Sequence, residues 1–366
     1  MIKVLLTSFL IVAAVFFAAN YSQSDHLLSP SAKKDKERSN QEKIDERVFE
    51  ENKNRVKAKP FDFARGKGVL DKIVDSPSYI VVNKTGEVVF AKNPDRKRSP
   101  ASLVKIMTAM VVLDIMSLSE VVTVPAEATG LEPTILIAEE GEKFTVRELL
   151  RAMLITSTND AAETLAYSVA KKLGGSREVF VKLMSEKAKS LGLAKTQFAN
   201  PTGYDDTKQF STARELAKMA EYARVSYPAI AETIKTESAS IAKTAEHKKY
   251  ELPNWNSLLG VYPGTDGVKI GFTDEAGHVT IVSAERDKER FIAVLLGAPD
   301  RRAKDLWAAE LLNSAFAEVG IKKYKVTQDM LLQKSNEWSK QLTVAQDEDA
   351  PTYNSEPDNP ITGFYV

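Results

Sequence analysis

The sequence predicts an α+β fold in which one antiparallel β-sheet draws strands from both chain ends and a helical subdomain is inserted between them. Two hairpin signals lie far apart, at residues 79–91 and 278–296. The interval between them is punctuated by helix caps and glycine stops, and with 366 residues, 43% hydrophobic, the chain can bury a large core.

Lys3 is followed by no charge until Asp25, and the apolar run Val4–Ala19 falls between. Residues 1–23 read as a signal peptide or N-terminal membrane anchor; the run is short of the ~20 residues that span a bilayer comfortably. Residues 24–65, rich in Lys, Glu and Asn with little apolar periodicity, read as a solvated polar linker holding the following domain off the membrane. That domain is expected over 66–324. Tyr79–Val82 and Val88–Ala91 flank Asn83-Lys84-Thr85-Gly86, a hairpin turn. Residues 101–116 form a helix that is apolar nearly all round.

Thr145-Val146-Arg147-Glu148 is a capping box that opens a helix to about Leu154, and Asp160–Leu173 makes another, stopped by Gly174-Gly175. Phe180, Leu183, Met184, Ala188 and Leu191 repeat at helical spacing, and Thr212-Ala213-Arg214-Glu215 opens one more helix. A strand carrying Lys269 precedes the second hairpin, His278–Ala284 and Arg290–Leu296 around Glu285–Glu289. Leu306, Trp307, Leu311, Leu312 and Phe316 line a last helix that stops at Gly320. Residues 325–366 are polar and acidic and are expected to be disordered.

Composition excludes several chemistries. Lys+Arg and Asp+Glu both number 50, and no basic–aromatic interleaving occurs, so nucleic acid is not an expected partner. The absence of cysteine removes thiol nucleophiles, disulfides and zinc–thiolate sites. His26, His247 and His278 read as surface or structural side chains, since none lies near a Gly-x-Ser-x-Gly elbow.

Within SPASLVKIMTAMVVL, Lys105 is the only charge between Arg98 and Asp114. A charge in such a setting calls for a reason. On a helix Ser102 and Lys105 share a face, and burial lowers a lysine pKa from about 10.4 by roughly 3–5 units. A neutral amine beside a hydroxyl is a base beside a nucleophile. The competing reading is a lysine that snorkels to solvent, because Ser-x-x-Lys also occurs at Ser31/Lys34 and Ser240/Lys243. Ser157-Thr158-Asn159 falls in the break between two capped helices, where it either aims a hydroxyl and an amide into a cleft or is a plain N-cap. Lys269-Ile270-Gly271 either offers a cation and a close backbone approach to an anionic substrate or is an ordinary edge strand.

Ser-x-x-Lys, Ser-x-Asn and a Lys-x-Gly strand are elements of serine β-lactamases and penicillin-binding proteins. With their flanks, the blocks SPASLVKIMTAMVVLD, GEKFTVRELLRAMLITSTNDAAETLA, LGLAKTQFANPTGYDD, FSTARELAKMA and DGVKIGFTDEAGHVTIVSA occur in order. Together, over about residues 66–320, they resemble the D-alanyl-D-alanine carboxypeptidases, the low-molecular-mass penicillin-binding proteins. The resemblance implies a β-lactamase/DD-peptidase-like fold and an acyl-enzyme mechanism on peptidoglycan stem peptides outside the cytoplasm, with β-lactams as covalent inhibitors and no metal or organic cofactor. It assigns Ser102 as nucleophile, Lys105 as its base, Ser157 as proton relay and Asn159 as the group holding Lys105 and substrate. Lys269 would attract the terminal carboxylate, and the backbone N–H groups of Ser102 and Phe272 would receive the oxyanion.

The family usually has threonine where this chain has Ile270, so a hydroxyl for the substrate carboxylate is missing; Thr273 is expected to compensate in part. Alternatives are a β-lactamase-like hydrolase, which lacks its Glu-x-x-Leu-Asn signal here, a DD-endopeptidase or transpeptidase of the same fold, and a non-catalytic wall-binding module.

Overall fold

The structure is a computed structural model that describes residues 30–56, 70, 74–132, 134 and 136–346. The apolar segment 1–23 lies outside these residues, and among the described residues no helix is long and apolar enough to cross a membrane. Helix α1 (Pro30–Asn52) precedes strands β1 (Ser78–Asn83) and β2 (Val88–Lys92). A 3-10 turn, Ala101–Val104, leads into α2 (Lys105–Ile115). The ribbon of β3 (Val121–Thr123) and β4 (Lys143–Thr145) is followed by α3 (Val146–Arg151), α4 (Asn159–Leu173), α5 (Arg177–Ser190), α6 (Ala213–Ser226) and α7 (Pro228–Ile234). A second ribbon, β5 (Ser238–Ile241) with β6 (Tyr250–Pro253), leads to β7 (Thr265–Thr273), β8 (Gly277–Arg286) and β9 (Glu289–Ala298), and then to α8 (Arg301–Glu318) and α9 (Gln328–Gln346).

The central sheet has the order β2-β1-β9-β8-β7, all antiparallel, so the first hairpin pairs with the last strand as the sequence predicts. Period-2 alternation splits its side chains between two cores. Ile80, Val82, Ile281, Ile292 and Val294 face the core shared with α2, α4, α5 and α6. Tyr79, Val81, Val282, Phe291, Ala293 and Leu295 face the core shared with α8, where Leu311, Leu312 and Phe316 cover them. The second hairpin is longer than expected: only Asp287 and Lys288 turn, both at positive φ (50° and 65°), the geometry that matches the twist of the flanking strands. The ribbons β3–β4 and β5–β6 carry too little alternation to be read in advance.

Two expectations change. Residues 30–52, within the stretch expected to be a solvated linker, form a helix; 24–29 and 57–65 lie outside the described residues. Its docking is largely polar, which apolar periodicity does not reveal. Asp45 accepts from the N–H (2.9 Å) and Oγ (2.5 Å) of Ser176, the residue that caps α5, while Val48 and, beyond the helix, Val56 are buried. Part of the tail is likewise ordered: α9 buries Leu331, Ser335 and Trp338, spaced by four and then three residues along one face. Residues 347–366 lie outside the described residues.

Candidate active site

The residues of the first motif lie where a strained turn meets a buried helix. Ala101 has φ of 46° and is followed by Ser102 within the turn Ala101–Val104, and Lys105 begins α2 one turn later, fully buried. Two glycines make room for the backbone here. A Cβ on Gly203, which has φ of 99°, would stand 2.2 Å from the Ala101 carbonyl oxygen and 2.7 Å from the Ser102 nitrogen. A Cβ on Gly271 of β7 would stand 2.8 Å from the same nitrogen. The amide of Ser102 is thus closed in by backbone from two distant segments.

The second motif is set by the end of its helix. The Thr145 capping box forms as predicted, with Glu148 N donating to Thr145 Oγ1 and Thr145 N donating to Glu148 Oε2. The α-helix ends at Arg151 rather than near Leu154, and a π-turn, Ala152–Thr156, carries the chain to Ser157 at φ 71°. Asn159 then opens α4, its N–H held by the Thr134 carbonyl at 2.7 Å.

Lys105 Nζ has three oxygen neighbours: Ser102 Oγ at 2.9 Å, Asn159 Oδ1 at 2.7 Å and the Thr202 carbonyl at 2.5 Å. The Asn159 amide is fixed in this orientation because Nδ2 donates to the Glu132 carbonyl at 3.1 Å and to Tyr204 Oη at 3.2 Å. Tyr204 in turn donates to the same Glu132 carbonyl at 2.9 Å. Burial holds the Lys105 amine well below its ordinary pKa, the nearby charge of Lys269 pushes the same way, and Glu163 and Asp160 oppose it. A neutral amine has two protons and one lone pair. The two acceptors, Asn159 Oδ1 and the Thr202 carbonyl, take the protons, and the lone pair is left for the Ser102 hydroxyl.

A cavity of about 440 Å³ opens on this cluster, its lining including Ser102, Ser157 and Asn159 together with Ile270, Gly271, Phe272 and Thr273 of β7. The structure therefore brings together the three predicted motifs. Lys269 lies on β7, buried, and burial followed by the charge of Lys304 pulls its pKa down to about 7. Thr273 is already engaged: its hydroxyl donates to Asp205 Oδ1 at 2.7 Å, and Asp205 also receives Ser99 Oγ at 2.9 Å. For Thr273 to compensate for Ile270, a substrate carboxylate would have to take its hydroxyl proton from Asp205, which also lines the cavity.

Sequence reading missed a further part of the cavity lining. Trp255, Arg301 and Lys304 belong to it, with Lys304 paired to Asp305 in full burial. So does His278, half-buried against the Phe272 ring at 4.5 Å between centroids; burial and then Lys304 hold its pKa down to about 4, so it is neutral near pH 7. Strand pairing gives His278 its place, opposite Phe272 in the β7–β8 register, and no local signal announces it.

The sequence profile of D-alanyl-D-alanine carboxypeptidase matches residues 67–300. The chain belongs to this family. Among its carboxypeptidase relatives, DacF of Bacillus subtilis is 33% identical over 267 residues, covering 71% of this chain and 67% of that protein. The chain thus matches about two thirds of the length of DacF. The DD-transpeptidase of Streptomyces K15 superposes with a TM-score of 0.63 at 28% identity, over 67% of this chain and 98% of that one. Penicillin-binding protein D2 of Listeria monocytogenes, in its cefotaxime-bound form, superposes with a TM-score of 0.58 at 31% identity, over 66% of this chain and 98% of that one. These DD-peptidases carry the α+β fold described above.

Proposed function

We propose that the chain acts outside the cytoplasm as a serine carboxypeptidase that removes the terminal D-alanine from peptidoglycan stem peptides through an acyl-enzyme on Ser102. The observation that carries this reading is the buried Lys105 amine in contact with Ser102 Oγ, Asn159 Oδ1 and the Thr202 carbonyl. With both amine protons taken up by Asn159 Oδ1 and the Thr202 carbonyl, Nζ accepts the Ser102 proton as Oγ attacks the carbonyl carbon between the two terminal residues. The tetrahedral adduct collapses by breaking the C–N bond. The leaving amine takes its proton by way of Ser157, and water then attacks the ester to release the shortened peptide and restore the hydroxyl.

The Ser102 and Phe272 backbone N–H groups would hold the oxyanion, each worth roughly 3–4 kcal/mol in the transition state. The close approach of Gly271 and Gly203 to the Ser102 nitrogen supports that role. β7 is an edge strand, so a peptide can lie along it, with Lys304 in the cavity lining and Lys269, buried on β7 and outside that lining, giving positive potential for its carboxylate. Asn159 would hold Lys105 and the peptide backbone, and Ile270 contributes an apolar wall to the same cleft. A β-lactam would enter as an acyl donor that stays bound. No metal or organic cofactor takes part in these steps, and the segment 1–23 would keep the protein at the membrane. A second reading, transfer of the acyl group to an amine, is favoured by the likeness to the K15 transpeptidase.

Labelling with a fluorescent penicillin and release of D-alanine from a pentapeptide test the proposal. The parent should take the label and release D-alanine, and Ser102→Ala should do neither, its turnover down about 10⁶-fold. Equal labelling of both would remove Ser102 from its role. Rapid penicillin turnover would point to a β-lactamase, and stable muropeptide binding without D-alanine release to a non-catalytic module.

A further inference from the structure

Helix α9 lies beyond residues 67–300, the stretch that the family profile matches, yet it packs behind the active cavity. Its Trp338 is almost fully buried and meets Trp255 edge to face, ring centroids 6.4 Å apart at 87°. Trp255 in turn lines the cavity. On another side Arg301 holds the same residue: its Nη2 donates to the Trp255 carbonyl at 2.9 Å, and its guanidinium lies 5.8 Å from the ring.

The helix also grips the chain next to Trp255. Lys334 reaches Glu237 Oε2 at 2.5 Å, and the Glu237 carbonyl accepts from Asn254 N at 3.1 Å. One residue earlier, the Pro253 carbonyl accepts from Thr156 Oγ1 at 3.1 Å, immediately before Ser157. Trp255 therefore sits between α9 and the cavity, in contact with both. No reacting group lies in α9 itself.

We infer that Trp338 is a positioning residue for substrate: through Trp255 it fixes one wall of the cavity that holds Ser102, so that the C-terminal helix sets how tightly the peptide is held and leaves the acylation chemistry to Ser102 and Lys105. An edge-to-face indole pair restricts both rings, and a Trp255 freed on its outer side loses the one orientation that the peptide meets. Because neither indole is among the hydrogen-bond partners of Lys105, which are Ser102, Asn159 and Thr202, loss of the wall is felt in binding before it is felt in the chemical step. The inference rests on the cavity being the site of peptide cleavage.

The test uses the full chain with Trp338→Ala, Trp338→Phe, Trp255→Ala and the double alanine variant, read by steady-state kinetics on a pentapeptide and by stoichiometric labelling with fluorescent penicillin. Trp338→Ala should raise KM about tenfold, the order expected of one aromatic pair, with kcat within about twofold and labelling complete. Trp338→Phe should restore KM to within about twofold of the parent. The double variant should be no worse than Trp255→Ala alone, since both changes act through one contact. A labelled parent whose KM ignores Trp338→Ala, or two effects that multiply in the double variant, would overturn the inference alone. A parent that takes no label would overturn the assignment of the cavity, and the inference with it.

Discussion

At the scale of single residues, the site turns on lysines made unlike themselves by burial. Lys105 and Lys269 both lose charge stabilisation to desolvation, but the proposed mechanism needs them in opposite states: the first neutral, as a base, and the second charged, as an attractor of a carboxylate. With its pKa pulled down to about 7, Lys269 in the free protein is protonated below that pH and loses its charge above it. The kcat/KM for a peptide ending in a free carboxylate should therefore fall as pH rises through about 7, whereas Lys269→Arg, whose charge persists, should flatten that limb. A pH profile of kcat/KM for the two proteins checks this, and an unchanged limb in the variant would assign it to another group. The lone charge in an apolar helix made Lys105 legible in the sequence. The Thr202 carbonyl, Tyr204 and His278 were not, because a main-chain acceptor has no sequence signature and the other two reach the site through loop geometry and strand pairing.

At the scale of elements, what was legible followed from local rules. Capping residues at Thr145 and Thr212 mark helix starts because their hydroxyls accept from the backbone N–H three residues on, at 3.2 Å in both cases. The π-turn before Ser157 and the docking of α1 were not legible, since each depends on partners distant in sequence. The junction of the Ala101–Val104 turn with β7 is the most demanding contact. Gly271→Ala would push a methyl against the Ser102 nitrogen, and Gly203→Ala adds strain at positive φ to a closer collision. Either change should lower the rate of penicillin acylation by about 10²–10³, the effect of losing one oxyanion donor. Stopped-flow labelling measures this, and a rate within threefold of the parent would show that the amide of Ser102 tolerates displacement.

At the scale of the whole molecule, the cluster draws Lys105 from α2, Asn159 from α4, Thr202 from a loop and Gly271 from the far edge of the sheet. No single segment can form it, so loss of penicillin labelling in urea should coincide with loss of helical circular dichroism. A labelling midpoint clearly below the spectroscopic one would show that the cluster opens locally. The topology that makes this so was the most readable feature of the sequence, because strands at both ends had nowhere else to pair. It also constrains the order of events as the protein is made. Ser76 Oγ donates to the Leu296 carbonyl across 220 residues, and β1 has β9 as its inner neighbour. A chain emerging from the ribosome, or threaded through a translocation channel, cannot complete its central strand pairing until nearly all of it has come through. Early closure of the sheet is thereby deferred by the connectivity itself, which would suit the export that the proposed function requires.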